Sequence, residues 1–156
     1  MGYAEQVLQP GESIKHRSKV HWIVYLPGLA SLVVAVVIFL FVAAANAIDS
    51  NLRLALLGLA AIIALGALFK LLRAWFKRWT TEIVVTDKRI IYKAGFIRRH
   101  TVEMNLDKVE SVQVEQSVTG RLLDYGTLII RGTGAGIEPI LNVGSPLEFR
   151  SFVTAR

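Results

Sequence analysis

Six basic side chains, Lys88, Arg89, Lys93, Arg98, Arg99 and His100, fall within residues 88–100. Guanidinium and ammonium groups at this density bind phosphate or other anionic groups through charge-assisted hydrogen bonds. Lys88, Arg89, Lys93, Arg98 and Arg99 are therefore the candidate contact for an anionic lipid headgroup or an acidic partner. The competing reading is a solvated face on which Glu82, Glu103 and Glu110 offset the cations. Gly132-Thr133-Gly134-Ala135-Gly136 is glycine-rich enough to suggest a phosphate cradle. A cradle needs a strand, a loop and then a helix whose amides face the anion. This loop joins two β-rich stretches and lacks a P-loop lysine, so it is expected to be a hairpin tip.

Catalytic and metal-binding patterns do not emerge. His16, His21 and His100 are scattered without ligand spacing. There is no cysteine, which excludes disulfide scaffolds, thiolate metal sites and cysteine nucleophiles. No Gly-x-Ser-x-Gly or His-Glu-x-x-His occurs, and no carboxylate pair suggests a shared pocket. The expectation is a non-enzymatic protein with no cofactor and no metal.

Hydrophobicity decides what positions these groups. The 156 residues are 53% hydrophobic and only 19% charged, with a mean hydropathy of +0.48. Water-soluble domains carry about 25% charged residues, so a membrane protein is the expectation. Trp22 to Ile48 contains no charge, and fourteen of the twenty positions Ile23–Val42 are Leu, Ile, Val or Phe. Twenty helical residues rise about 30 Å, the thickness of a bilayer core. Leu54–Phe69 is a second run, built only from Leu, Ile, Phe, Ala and Gly. It is expected to continue through Leu71, Leu72, Trp75 and Phe76, with Lys70 and Arg73 snorkelling to the headgroups. The polar Ala47-Ile48-Asp49-Ser50-Asn51 makes a turn between them, giving a transmembrane helical hairpin over residues 22–79. Gly58, Gly66, Ala60, Ala64, Ser31 and Ala35 are candidates for close helix packing, within the hairpin or between two copies.

Orientation follows from the cations. Lys15, Arg17 and Lys19 precede the first run and Lys70, Arg73, Lys77 and Arg78 close the second, whereas the connecting loop has only Arg53, opposed by Asp49. The positive-inside rule puts both termini in the cytoplasm. Trp22, Trp75 and Trp79 fall at that same face and, with Lys19, Lys70, Arg73, Lys77 and Arg78, are the expected interface anchors. Residues 80–156 hold ten Lys or Arg against nine Asp or Glu. Most of the +6 net charge thus sits at the membrane edges, which argues against nucleic acid as a partner. Membrane lipids, anionic headgroups included, are the expected contacts, and a protein partner or homo-oligomer stays open.

After Trp79 the pattern changes to short β-rich runs. Strands are expected at Thr81–Thr86, Arg89–Lys93, Phe96–Leu106, Val109–Gln116, Gly126–Arg131 and Ile137–Val143, with a short helical or looped excursion at Ser117–Tyr125. Leu122 and Leu123 are expected to pack on the sheet, while Gly95 and Gly126 supply positive φ. Ser145 reads as an N-cap before Pro146, opening a terminal helix whose apolar side is Leu147, Phe149, Phe152 and Val153. Residues 1–21 read as a cytoplasmic N-terminal segment, set apart from the module at 80–156.

The run Thr80-Thr81-Glu82-Ile83-Val84-Val85-Thr86-Asp87-Lys88-Arg89-Ile90-Ile91-Tyr92-Lys93-Ala94-Gly95 resembles the opening of the bacterial pleckstrin-homology-like (PH) domain. Arg98-Arg99, Val102-Glu103-Met104, Leu106-Asp107-Lys108-Val109-Glu110-Ser111-Val112 and Gly120-Arg121-Leu122-Leu123-Asp124-Tyr125-Gly126-Thr127 continue the likeness. The two apolar runs, with Pro10-Gly11-Glu12 ahead of them, resemble membrane-anchored members of that family. The resemblance implies an all-β PH-like barrel capped by a C-terminal helix. The resemblance implies no established activity; with the topology above, the expected role is a binding or scaffolding module on the cytoplasmic face of the bacterial inner membrane. In many PH domains basic residues around the first hairpin bind phosphoinositides, but the spaced Lys-x-Arg pattern of strong binders is missing here. An accessory subunit that binds and stabilises a transporter or envelope-stress complex through its two spans is the alternative.

Overall fold

The computed structural model describes residues 3–45, 49–95, 100–134 and 136–155. They divide into two compact units, residues 24–76 and residues 1–23 with 77–156.

The first unit is two helices, α2 (Leu26–Ala44) and α3 (Ser50–Thr80), after a short 3-10 turn at Trp22–Tyr25. Together with that turn they give stretches of 23 and 31 residues, both long and apolar enough to cross a bilayer. The Asp49 carboxylate accepts the Asn51 amide at 2.9 Å and so caps α3. Part of the expected turn, at Ala47 and Ile48, lies outside the described residues. The buried positions are Gly28, Ala35 and Val42 on α2 and Ala60, Ala67 and Ala74 on α3. Both sets recur every seven residues, the repeat that keeps one seam facing a partner helix. Small side chains let the backbones approach, and a Cβ on Gly28 would sit 2.8 Å from Leu71. Gly58 and Gly66 lie off this seam with open space beside them, so within the pair the close packing falls to Gly28 and the alanines. Outside the seam the leucines, valines, isoleucines and phenylalanines are largely exposed.

Among the described residues, the second unit holds seven strands in two antiparallel sheets. One sheet orders β1 (Ile14–Ser18), β2 (Glu82–Thr86), β3 (Arg89–Ala94) and β4 (His100–Asn105) side by side. The other orders β5 (Val109–Glu115), β6 (Tyr125–Gly132) and β7 (Gly136–Gly144). An isolated bridge, Val20 to Val143, joins the sheets at one corner. The described strand pairs thus form two sheets rather than one continuous closed sheet. Between them lies the core, including Ile83, Val85, Ile90, Leu128, Ile130, Ile140 and Val143. Helix α5 (Pro146–Thr154) covers it with Phe149 and Val153, whereas Leu147 and Phe152 are exposed.

The first strand was not anticipated. Ile14 lies opposite Thr86 and Ser18 opposite Ile83, so residues 1–21 are part of the sheet-bearing unit and not a separate segment. Helix α1 (Tyr3–Val7) lies on the outer face of this sheet, where buried Ala4 packs with Val84 and Ile91. Covered on both faces, β2 buries four consecutive side chains.

Three local expectations change. Ser145 occupies the N-cap position before Pro146 as read, but with φ +47° and no side-chain bond to α5; its hydroxyl donates instead to the Asp124 carboxylate at 2.6 Å. Gly95 takes positive φ as read from the sequence, but Gly126 does not. Gly126 is needed because a Cβ there would lie 2.7 Å from the Glu115 carbonyl oxygen. Leu122, expected on the sheet, points into open surroundings and is 80% exposed.

Candidate functional site

Among the described candidates, Lys88, Arg89 and Lys93 do not form one cluster. Lys88 is exposed in the two-residue turn between β2 and β3. Lys93 lies at the other end of β3, opposite Glu82 and Thr101. Five residue-to-residue steps of strand separate the two by roughly 16 Å. The Lys93 ammonium sits 4.8 Å from the centre of the Tyr3 ring, a cation–π contact. Arg98 and Arg99 lie outside the described residues.

Arg89 is engaged in the fold itself. Its Nε donates to Glu12 Oε1 at 3.0 Å and its Nη2 to Glu12 Oε2 at 3.0 Å. Nη2 also donates to the Val7 carbonyl at 2.7 Å, and Nη1 to Glu103 at 2.6 Å. The Glu12 side chain is fully buried and accepts two further bonds, from the Gln9 amide at 2.8 Å and the Thr86 hydroxyl at 2.7 Å. Burial alone would raise the Glu12 carboxyl pKa. The amide, hydroxyl and guanidinium donors outweigh it and hold the group below the ordinary carboxylate range. The Arg89 pKa is raised, first by its hydrogen bond to Glu12 and against the pull of burial. The guanidinium therefore serves a latch between the N-terminal arm and the β2–β3 hairpin.

The Thr86-Asp87 pair explains the turn. The Thr86 hydroxyl accepts the Lys88 and Arg89 amides at 3.2 and 2.9 Å. Asp87 accepts the Ser13 amide at 2.9 Å and returns its own amide to the Ser13 carbonyl. Threonine thus shapes the hairpin while aspartate ties down the chain ahead of β1.

The interface candidates divide between the units. Lys70 donates to the Ser31 hydroxyl at 2.9 Å, and Ser31 donates to the Pro27 carbonyl, so the ammonium makes one hydrogen bond within the helical pair. Trp75 contacts Phe76 edge-on, and Arg73 is exposed. Lys77, Arg78 and Trp79 close α3, exposed on its last turn, and Lys19 and Trp22 are exposed where the chain leaves the sheets.

Strand register brings several features to one end of the second unit. Ser18 opposite Ile83 puts there both the exit toward Trp22 and the entry from Thr80. Lys93, Ala94 and His100 lie at the same end. The bridge at Val20 and the Gly144 amide on the Lys19 carbonyl (3.0 Å) bring the β6–β7 corner alongside. Here the His21 ring stacks on Tyr125 with centroids 5.3 Å apart and accepts the Ile23 amide on Nδ1 at 3.2 Å. Burial, then the charge of Arg78, lowers the His21 pKa, against Asp124 and a backbone hydrogen bond at Leu123. Helix α4 (Val118–Leu122) sits beside it, capped by Ser117, whose hydroxyl accepts the Gly120 amide at 3.1 Å. A groove of about 770 Å³ opens there, its lining including Gln116, Arg121, Tyr125, Asn142 and Leu147. The β2–β3 turn and the glycine-rich β6–β7 turn lie at the opposite end; Ala135 of that tip is outside the described residues. Among the described residues no three His, Asp or Glu side chains are grouped to hold a metal.

Sequence reading missed the Glu12–Arg89 latch and β1. A signal existed in Ile14-Lys15-His16-Arg17-Ser18-Lys19-Val20, where every second residue is cationic. That is the two-residue period of a strand with one wet face.

A family model described as bacterial PH domain matches residues 22–156. The match begins after β1, so the N-terminal arm and its strand lie outside it. No curated protein and no solved structure matches the chain.

Proposed function

Because the chain belongs to the bacterial PH domain family, we propose that it is a two-span inner-membrane protein. On this reading it displays a PH-like binding or scaffolding module, a barrel built from the two sheets, to the cytoplasm. Domains of this kind generally bind lipids or proteins and do not catalyse. The observation that carries the reading is the pairing of β1 with β2, Ile14 opposite Thr86 and Ser18 opposite Ile83. Both apolar helices lie in sequence between these two strands. One sheet cannot be assembled from strands in two compartments, so two crossings that return to the starting side satisfy it and a single crossing does not. The cation excess beside both flanks then makes that side cytoplasmic.

Lipid as the solvent for the helices is supported by their exposed side chains. Only 17% and 11% of the two apolar windows is buried. A helix hydrophobic all round belongs inside a core or a bilayer. The anionic contact narrows to Lys93 and the neighbouring Arg98 and Arg99 in sequence, since Arg89 is held by Glu12 and Lys88 lies at the far end. Purification of the full chain in mild detergent, with analysis of what elutes, tests this. Anionic lipid enriched over bulk membrane, or a stoichiometric protein, supports a binding module. Elution alone with bulk-composition lipid contradicts it, and extraction without detergent contradicts the anchor.

A further inference from the structure

We infer that α4 is a membrane-surface wedge: Val118, Leu122 and Leu123 enter the headgroup layer of the bilayer that the two helices cross. The inference rests on the two-span reading above. Leu122 and Val118 are 80% and 76% exposed, more than any large apolar side chain of α2 or α3, where the highest is Ile62 at 69%. The local sequence makes this a built feature. The Ser117 cap starts the helix, Gly120 lets it lie close to the chain (a Cβ would meet the Tyr125 carbonyl oxygen at 2.6 Å), and the i, i+4 spacing sets Val118 and Leu122 on one face. Leu123, 40% exposed, adjoins them and carries the backbone hydrogen bond with His21.

Position selects lipid over a protein as the occupant. His21 directly precedes Trp22, where the first apolar stretch begins, and its ring stacks on Tyr125 at the end of the loop that follows α4. The wedge thus stands next to a chain exit, at the same end of the sheets as the entry from Thr80. Exposed Lys19 and Arg121 add cations beside the apolar face, with Glu115 and Asp124 the nearby acids; Asp124 accepts the Ser145 hydroxyl. Short amphipathic segments of this composition settle about 5–10 Å into the boundary between headgroups and acyl chains.

The native chain has no cysteine, so single-site probes carry no background. Full-length Leu122→Cys, Val118→Cys, Lys88→Cys and Leu40→Cys proteins, each bearing an environment-sensitive fluorophore, are reconstituted into vesicles of phosphatidylcholine and phosphatidylglycerol. Quenching is read with shallow nitroxide lipids and with iodide in water. The inference expects the Leu122 and Val118 probes to be quenched several-fold more by shallow nitroxide than the Lys88 probe, and several-fold less by iodide. If they behave like Lys88 while Leu40 is quenched from within the bilayer, the wedge is overturned and the spans stand. If Leu40 itself is open to iodide, the two-span reading fails first. Shielding of Leu122 from iodide without lipid quenching means that a second copy covers it, which also overturns the wedge.

Discussion

Arg89 and Glu12 meet side-on, with Nε on one carboxylate oxygen and Nη2 on the other, each at 3.0 Å and across 77 residues of chain. The pair links the arm that precedes both apolar helices to the hairpin that follows them. It holds closed the sheet on which the topology argument depends.

Removing Arg89 leaves the buried Glu12 carboxylate without a cation, whereas removing Glu12 still leaves Arg89 paired with Glu103. Arg89→Ala is therefore expected to cost about 3–5 kcal/mol, and Glu12→Ala less. Arg89→Lys recovers little, since an ammonium cannot engage both carboxylate oxygens and the Val7 carbonyl together. Chemical denaturation of the full chain in detergent measures the loss. Limited proteolysis should show residues 3–18 becoming cleavable first.

The same pair sets an acid limit. Glu12 titrates below its ordinary value of 4.5 in the fold, so the unfolded chain takes up the proton more readily. The stability it contributes is complete above that value and is lost as pH falls through it toward the folded pKa. Protection of the β1 amides, followed by hydrogen exchange, is expected to collapse in that window. Glu12→Gln should start weaker and lose this part of the pH dependence.

His21 acts in a different window. Its pKa is lowered from 6.5, so the neutral ring is favoured in the fold. Neutral Nδ1 accepts the Ile23 amide, which a protonated ring cannot do. Stability is therefore full above about 6.5 and declines as pH falls below it. Thermal unfolding of the wild type at pH 7.5 and 5.5 should show a drop that His21→Asn reduces. The imidazole carbon shift should titrate below the ordinary histidine range.

The helical pair depends on its small seam. Gly28→Leu and Ala67→Leu push bulk into a packed interface and are expected to destabilise it by about 1–3 kcal/mol. Gly58→Leu and Gly66→Leu meet open space and should change little. Thermal melts in detergent distinguish the two groups.

Much of this fold is legible in the chain, since uncharged runs of twenty residues and alternating strands between turns are local patterns. The six strands after Trp79 read well for that reason. β1 escaped because its five residues, Ile14–Ser18, bury only Ser18 outright and gain their place through β2, more than sixty residues away. The site was less legible. The sequence presents Lys88, Arg89 and Lys93 as neighbours, but a strand separates the first from the last and long-range pairing claims the middle one. Leu122 shows the opposite failure: an apolar residue beside a sheet suggests burial, and only the Ser117-capped turn shows it facing outward.

Single-cysteine labelling in sealed vesicles tests the central claim directly. Ser13→Cys, Asn51→Cys and Lys88→Cys are all at exposed positions of a cysteine-free chain. With a membrane-impermeant maleimide, Ser13→Cys and Lys88→Cys are predicted to label only in inverted inner-membrane vesicles and Asn51→Cys only in right-side-out ones. Labelling of Asn51→Cys from the same side as Lys88→Cys would contradict the two-span account.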